Sequence, residues 1–147
     1  MKGNYIANYN PADLDQMDKT LDKADKRLEK FTSAISAGAM SVTAFPISAD
    51  NLYKNIETLD EAFVVNNTCT GCGLCERLCP VSNIHVNKGA DQEENGKPEW
   101  LHHCEHCMAC ISWCPANAID YGDRTPSRRR YHNPRIKVEE LIRQTSE

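Results

Sequence analysis

The sequence predicts an α+β fold: a pseudo-two-fold module of two short β-hairpins and two short helices, preceded by one long amphipathic helix. Three observations carry that prediction. The run Cys69–Pro80, CTGCGLCERLCP, superimposes on Cys104–Pro115, CEHCMACISWCP, with every cysteine and the proline coinciding at an offset of 35. Apolar residues recur at Leu14, Met17, Leu21, Ala24, Leu28, Phe31 and Ile35, the three-and-four spacing of one helix face. Eight cysteines stand in a chain of 147 residues that is sparse in Leu, Ile, Val and Phe, so a small core needs another kind of staple.

The long helix opens at Asn10-Pro11-Ala12-Asp13, which reads as an Asn cap, a proline at the first helical position and an acid in the first turn. Gly38 is its expected stop. Its apolar stripe must lie against something. Packing on the protein's own body is the plainest reading; a coiled-coil dimer or a partner domain are the others. Residues 39–61 read as a linker with a short helical turn near Asp50–Ile56, which sets the first segment at 1–61. The repeat occupies 62–123. Outside the cysteines Val65 falls on Trp100 and Ile84 on Ile119, so each half reads strand, cysteine loop, short helix, strand. The expected strands are Phe63–Asn66, Ile84–Asn87, Pro98–Leu101 and Ala118–Tyr121, with the polar stretch Lys88 to Lys97 closing a hairpin. The tail, 124–147, is basic at first and then helical from Lys137 to Arg143.

Charge narrows the partners. Residues 69–123 carry 3 basic and 8 acidic side chains, whereas 124–147 carry 7 and 3. An acidic central segment argues against nucleic acid, which needs a basic face. No stretch approaches the roughly 18 consecutive apolar residues of a membrane helix. Residues 1–11 hold one lysine and no apolar run, unlike a secretory signal. A cytoplasmic location is the resulting expectation, and there thiols stay reduced, so metal ligation is a better use of the cysteines than disulfides.

The spacing C-x2-C-x2-C brings three thiolates from one tight loop onto one site, while the fourth cysteine, followed by proline, sits on a helix leading away. Structural zinc usually takes two widely separated C-x2-C pairs, and disulfides would leave the duplicated Cys-Pro run unexplained. The segment from Phe63 to Tyr121 resembles the bacterial two-cluster ferredoxin domain, of which this run with its crossed fourth ligand is the known signature. The resemblance implies that the module is built around two [4Fe–4S] clusters. By the same match, Cys69, Cys72, Cys75 and Cys114 would hold one; Cys104, Cys107, Cys110 and Cys79 would hold the other. Each cluster would then tie the two halves together, turning metal-binding energy into folding energy.

More widely, the chain resembles the C-terminal part of ferredoxins of anaerobes in which a flavodoxin-like domain precedes the two-cluster domain. Asn4-Tyr5-Ile6, the helix from Ala12 to Ser36, Gly96-Lys97-Pro98-Glu99-Trp100 and Arg130-Tyr131-His132-Asn133-Pro134 carry that likeness. A strand and a Ser/Thr/Gly-rich phosphate loop for flavin mononucleotide are not found in the sequence, so flavin binding is not carried over.

Gly71 and Gly73 let backbone amides approach a cluster and permit unusual torsions; the second loop has His106 and Met108 at those places. His106 is expected at the surface, His85, His102 and His103 as polar strand positions, and Trp100 and Trp113 as packing aromatics. Arg128-Arg129-Arg130 is a solvated tail, a docking patch for an acidic redox partner, or a segment that folds back onto the acidic cluster face. The resemblance also implies low reduction potentials, on the order of −400 mV, as ferredoxin clusters in acidic surroundings have. The expected function is a one-electron carrier between redox partner proteins and not an enzyme, since its reactive thiols are spent as ligands. The alternatives are the electron-transfer module of a larger flavin-containing oxidoreductase, or an iron–sulfur redox sensor.

Overall fold

A computed structural model describes residues 5–11, 13–39, 58–87 and 96–144. The expected helical turn at Asp50–Ile56 and most of the Lys88 to Lys97 loop lie outside them. Helix α1 (Leu14–Ser36) starts from Asp13, whose extended backbone (φ −61°, ψ 146°) makes it the N-cap without a side-chain bond. The Asn10 cap is therefore corrected. Upstream, a tight turn in which Asn8 and Tyr9 both donate to the Tyr5 carbonyl carries Ile6 and Ala7 into the core. The stop at Gly38 holds: with φ +65°, its N–H reaches Ile35 O and that of Ala39 reaches Ala34 O, the paired bonds of a Schellman end.

The stripe of α1 is divided. Met17 and Leu21 are buried, whereas Leu28, Phe31 and Ile35 are 59%, 53% and 60% exposed. Packing on the protein's own body thus covers part of the stripe and leaves its C-terminal part open. Arg135 of the tail bonds Asp22 and Asp25 on the solvent side of the helix at 2.6 and 2.5 Å.

The module then runs β1 (Phe63–Val65), α2 (Leu74–Leu78), β2 (Ile84–Val86), β3 (Pro98–Trp100), α3 (Ala109–Ser112) and β4 (Ile119–Tyr121). A 3-10 turn, Gly122–Arg124, and helix α4 (Val138–Gln144) follow. The expectation of two hairpins is half right. Strands β2 and β3 pair antiparallel as a hairpin, Ile84 opposite Trp100, but β1 pairs with β4, Phe63 opposite Tyr121, closing the two ends of the module. The reason is that β1 and β2 are parted by their own cysteine loop and helix. Each leading strand therefore finds the trailing strand of the other half.

The repeat extends to single bonds. Asn66 N–H donates to Ala118 O at 2.8 Å, and its counterpart Leu101 N–H donates to Asn83 O at 2.9 Å. Helices α2 and α3 pack on each other. Phe63, Ile84, Met108, Ile111 and Ile119 join Ile6 and Ala7 in one core, with Cys75, Cys79, Cys104 and Cys114 packed against it. None of the described helices is long and apolar enough to cross a membrane.

Candidate metal centres

The eight cysteines fall into two groups of four around two cavities. One cavity is lined by Cys69, Cys72, Cys75 and Cys114, and the other by Cys79, Cys104, Cys107 and Cys110. In each, two thiols come from one half's loop, a third from the start of the helix that follows it, and the fourth from the end of the other half's helix. Cys72 and Cys107, equivalent in the repeat, are exposed, so each cavity reaches the surface through its middle cysteine.

The loops take the same turn with different residues. Gly71 and Gly73 have φ of +64° and +70°; His106 and Met108, 35 residues on, have +57° and +62°. Only glycine adopts this region freely, so packing must hold the second loop there. Met108 is 1% exposed. His106 is half-buried, which corrects its surface placement: the rings of Tyr5, Phe63 and Tyr121 surround it, and the Tyr5 hydroxyl bonds its Nδ1. Burial, with Arg124 nearby, lowers its pKa, so the ring is neutral; burial raises that of Tyr5, so its O–H is the donor. The fourth cysteines are held alike. Asn83 N–H reaches Cys79 Sγ at 3.1 Å and Ala118 N–H reaches Cys114 Sγ at 3.3 Å, while His106 N–H reaches Cys104 Sγ at 3.3 Å.

All eight thiols are free. Burial pushes Cys75 up to about 11 and Cys110 well above the ordinary thiol value, with neighbouring thiolates adding to both. Four thiols facing one partly dry cavity ionise only if a compensating positive charge enters with them. Among the described residues no three His, Cys, Asp or Glu side chains are set to share a single metal ion. A polynuclear cluster asks for something else: donors spread apart, each bound to its own iron. This donor set fits such a cluster.

Several neighbours have no counterpart among the sequence expectations. Asp60, 2% exposed, accepts from Asn83 Nδ2 at 2.9 Å and His102 N–H at 3.0 Å, and meets His102 Nδ1 at 2.9 Å. Burial alone would raise its pKa, but these bonds hold it below the usual carboxylate value. His103 N–H in turn donates to Asn83 Oδ1 at 2.8 Å, so the network braces the residue that bonds Cys79. His102 and His103 follow β3 and do not sit on it; His85 does sit on a strand, β2, and bonds Glu76. Trp100 stacks on Phe63, and Trp113 on His132 of the tail, centroids 4.0 Å apart. The tail folds back. Arg130 bonds Asp120 at 2.6 Å and Ile119 O at 3.0 Å, and Arg128 reaches Ile6 O, so neither is a freely solvated side chain.

Residues 68–119, a span containing all eight cysteines, match the family of 4Fe-4S dicluster domains. An uncharacterized ferredoxin of Methanocaldococcus jannaschii is 36% identical over 61 residues, 40% of this chain and 74% of that protein. The NADH-quinone oxidoreductase subunit I 2 of Geobacter metallireducens is 36% identical over 55 residues, 35% of this chain and 42% of the subunit. A second, uncharacterized protein of Methanocaldococcus jannaschii is 33% identical over 64 residues, 44% of this chain, and the match spans 22% of its length. With the paired thiol cavities, the duplicated cysteine runs and a ferredoxin matched over most of its length, this chain belongs to the 4Fe-4S ferredoxins.

Proposed function

We propose that the chain is a low-potential one-electron carrier holding two [4Fe–4S] clusters, one on Cys69, Cys72, Cys75 and Cys114 and one on Cys104, Cys107, Cys110 and Cys79. The observation that carries this reading is the pair of cavities, each lined by three thiols of one half and one of the other. Each cluster, when bound, supplies one reversibly exchanged electron. The chain's own work is to hold it: backbone amides at Asn83, His106 and Ala118 donate to cysteine sulfur and disperse its charge. The exposed Cys72 and Cys107 give each site an edge at which a redox partner protein can approach. Its role is carriage and not bond-making chemistry. Anaerobic potentiometric titration followed by electron paramagnetic resonance tests this. Two interacting cubane signals at low potential are expected; a single cubane, or midpoints both above about −200 mV, would overturn it.

A second reading, the electron-transfer module of a larger flavin-containing oxidoreductase, is favoured by the open apolar end of α1 at Leu28, Phe31 and Ile35. A flavodoxin-like domain, of the kind that precedes the two-cluster domain in the ferredoxins this chain resembles, is one source of such a partner. Light scattering of the purified chain separates the readings: a monomer at every concentration counts against the module.

A further inference from the structure

The two cavities are near copies, but among the described residues one buried polar atom without a partner lines only the second. Trp100, on β3, lines the cavity of Cys79, Cys104, Cys107 and Cys110 and stacks on Phe63 of the same wall, the rings 5.1 Å apart and 7° from parallel. Its indole Nε1 is buried and has no hydrogen-bond partner among the described residues. Indole nitrogen only donates, so what is missing is an acceptor. Asn83, on the same wall, is already committed: its amide nitrogen donates to Asp60 and its oxygen accepts from His103. No acceptor of this wall, cysteine sulfur included, lies within bonding reach of the indole nitrogen, and the Glu105 carboxylate belongs to an exposed residue; the acceptor a loaded cavity would add is the sulfur of the cluster.

The other cavity has no such donor. Thirty-five residues before Trp100 stands Val65, which has none to give. Apart from its thiols, the side-chain donor lining that cavity is the hydroxyl of Thr70, an exposed residue that water can serve.

We propose that the Trp100 indole N–H donates to sulfur of the cluster held by Cys79, Cys104, Cys107 and Cys110, and raises the reduction potential of that site alone. The inference rests on the two-cluster reading. Negative charge on sulfur grows when a cluster takes an electron, so a donor stabilises the reduced form more than the oxidised one. The stack on Phe63 fixes the ring, which makes the donor preorganised.

Two replacements test it. Trp100→Phe keeps an aromatic ring against Phe63 and removes the N–H. Replacing Trp100 by β-(3-benzothienyl)alanine keeps the indole's shape and substitutes sulfur for the N–H. Anaerobic titration followed by electron paramagnetic resonance is expected to show one midpoint falling and the other unmoved in both proteins. The reduction equilibrium constant at that site should drop about tenfold, which is about 59 mV for a one-electron couple. Labelling the indole with nitrogen-15 should add a hyperfine coupling to the reduced native protein that both variants lack. Two intact cubane signals with unmoved midpoints would overturn the inference alone, as would a shift in the Phe variant without one in the isosteric protein. Absence of two cubane signals in the native protein would overturn the carrier reading itself and this inference with it.

Discussion

Gly73 and Met108 build the same left-handed turn from opposite materials, and substitutions should reveal it. A Cβ at Gly73 would meet nothing closer than Glu76 Oε2 at 3.8 Å, so Gly73→Ala costs only backbone strain, about 1–2 kcal/mol. At Met108 the order of small residues should invert. Met108→Ala loses a buried side chain, about 2–5 kcal/mol, but Met108→Gly, which relaxes φ, should be about 1 kcal/mol more stable than Ala. Denaturant unfolding of the loaded protein under argon checks both. Asp60 gives a pH prediction. Its carboxyl titrates lower folded than unfolded, so its contribution is full above the unfolded value of about 3.9 and is lost as pH falls through the folded one. The native chain should therefore lose stability relative to Asp60→Asn below about pH 4, a difference readable by circular dichroism. The left-handed turn was legible in the sequence, because His106 and Met108 coincide with two glycines under the 35-residue offset. The Asp60, Asn83 and His102 network was not, because it joins three segments that no local pattern relates.

Among the elements, α1 separates what periodicity can and cannot say. The three-and-four spacing predicts the helix and Gly38 its end, yet spacing gives no sign of how much of a stripe is covered. Cover depends on how far the body of the module reaches. Leu21→Ala should cost about 2–5 kcal/mol and raise hydrogen exchange along the helix, whereas Leu28→Ala should change stability by less than about 0.5 kcal/mol. Arg135→Ala breaks only exposed ion pairs with Asp22 and Asp25 and should leave the unfolding midpoint nearly unchanged, with any difference vanishing in high salt. Strand existence was legible from the repeat. The pairing of β1 with β4 was not, because sequence neighbours form the default hairpin and these two are the farthest apart.

For the whole molecule, the ligation proposed above would make cohesion and metal content one quantity. Replacing Cys114 by Ala removes a thiol from the cavity of Cys69, Cys72 and Cys75 while the residue itself lies in the other half. The expected result is loss or three-iron conversion of that site together with weakened docking of the halves. Iron analysis and anaerobic unfolding should therefore move together, where a merely local ligand would change iron alone. Removing iron from the native protein with a chelator should unfold the module, since its aliphatic core is small. The cysteine positions were legible because a repeated motif needs no tertiary information. The contribution of Ile6 and Ala7 to the same core was not, because two adjacent apolar residues in a polar stretch carry no periodic signal.

The exchange of strands between halves also fixes when the protein can mature. Val65 waits for Ile119, and the cavity begun by Cys69 lacks its fourth wall until Cys114 has left the ribosome. Neither half closes a strand pair or a four-thiol cavity of its own, so the first four thiols leave the ribosome before the residues that complete their sites. Assembly of the two sites is a single late event, and the interval before it is when the chain is most open to oxidation.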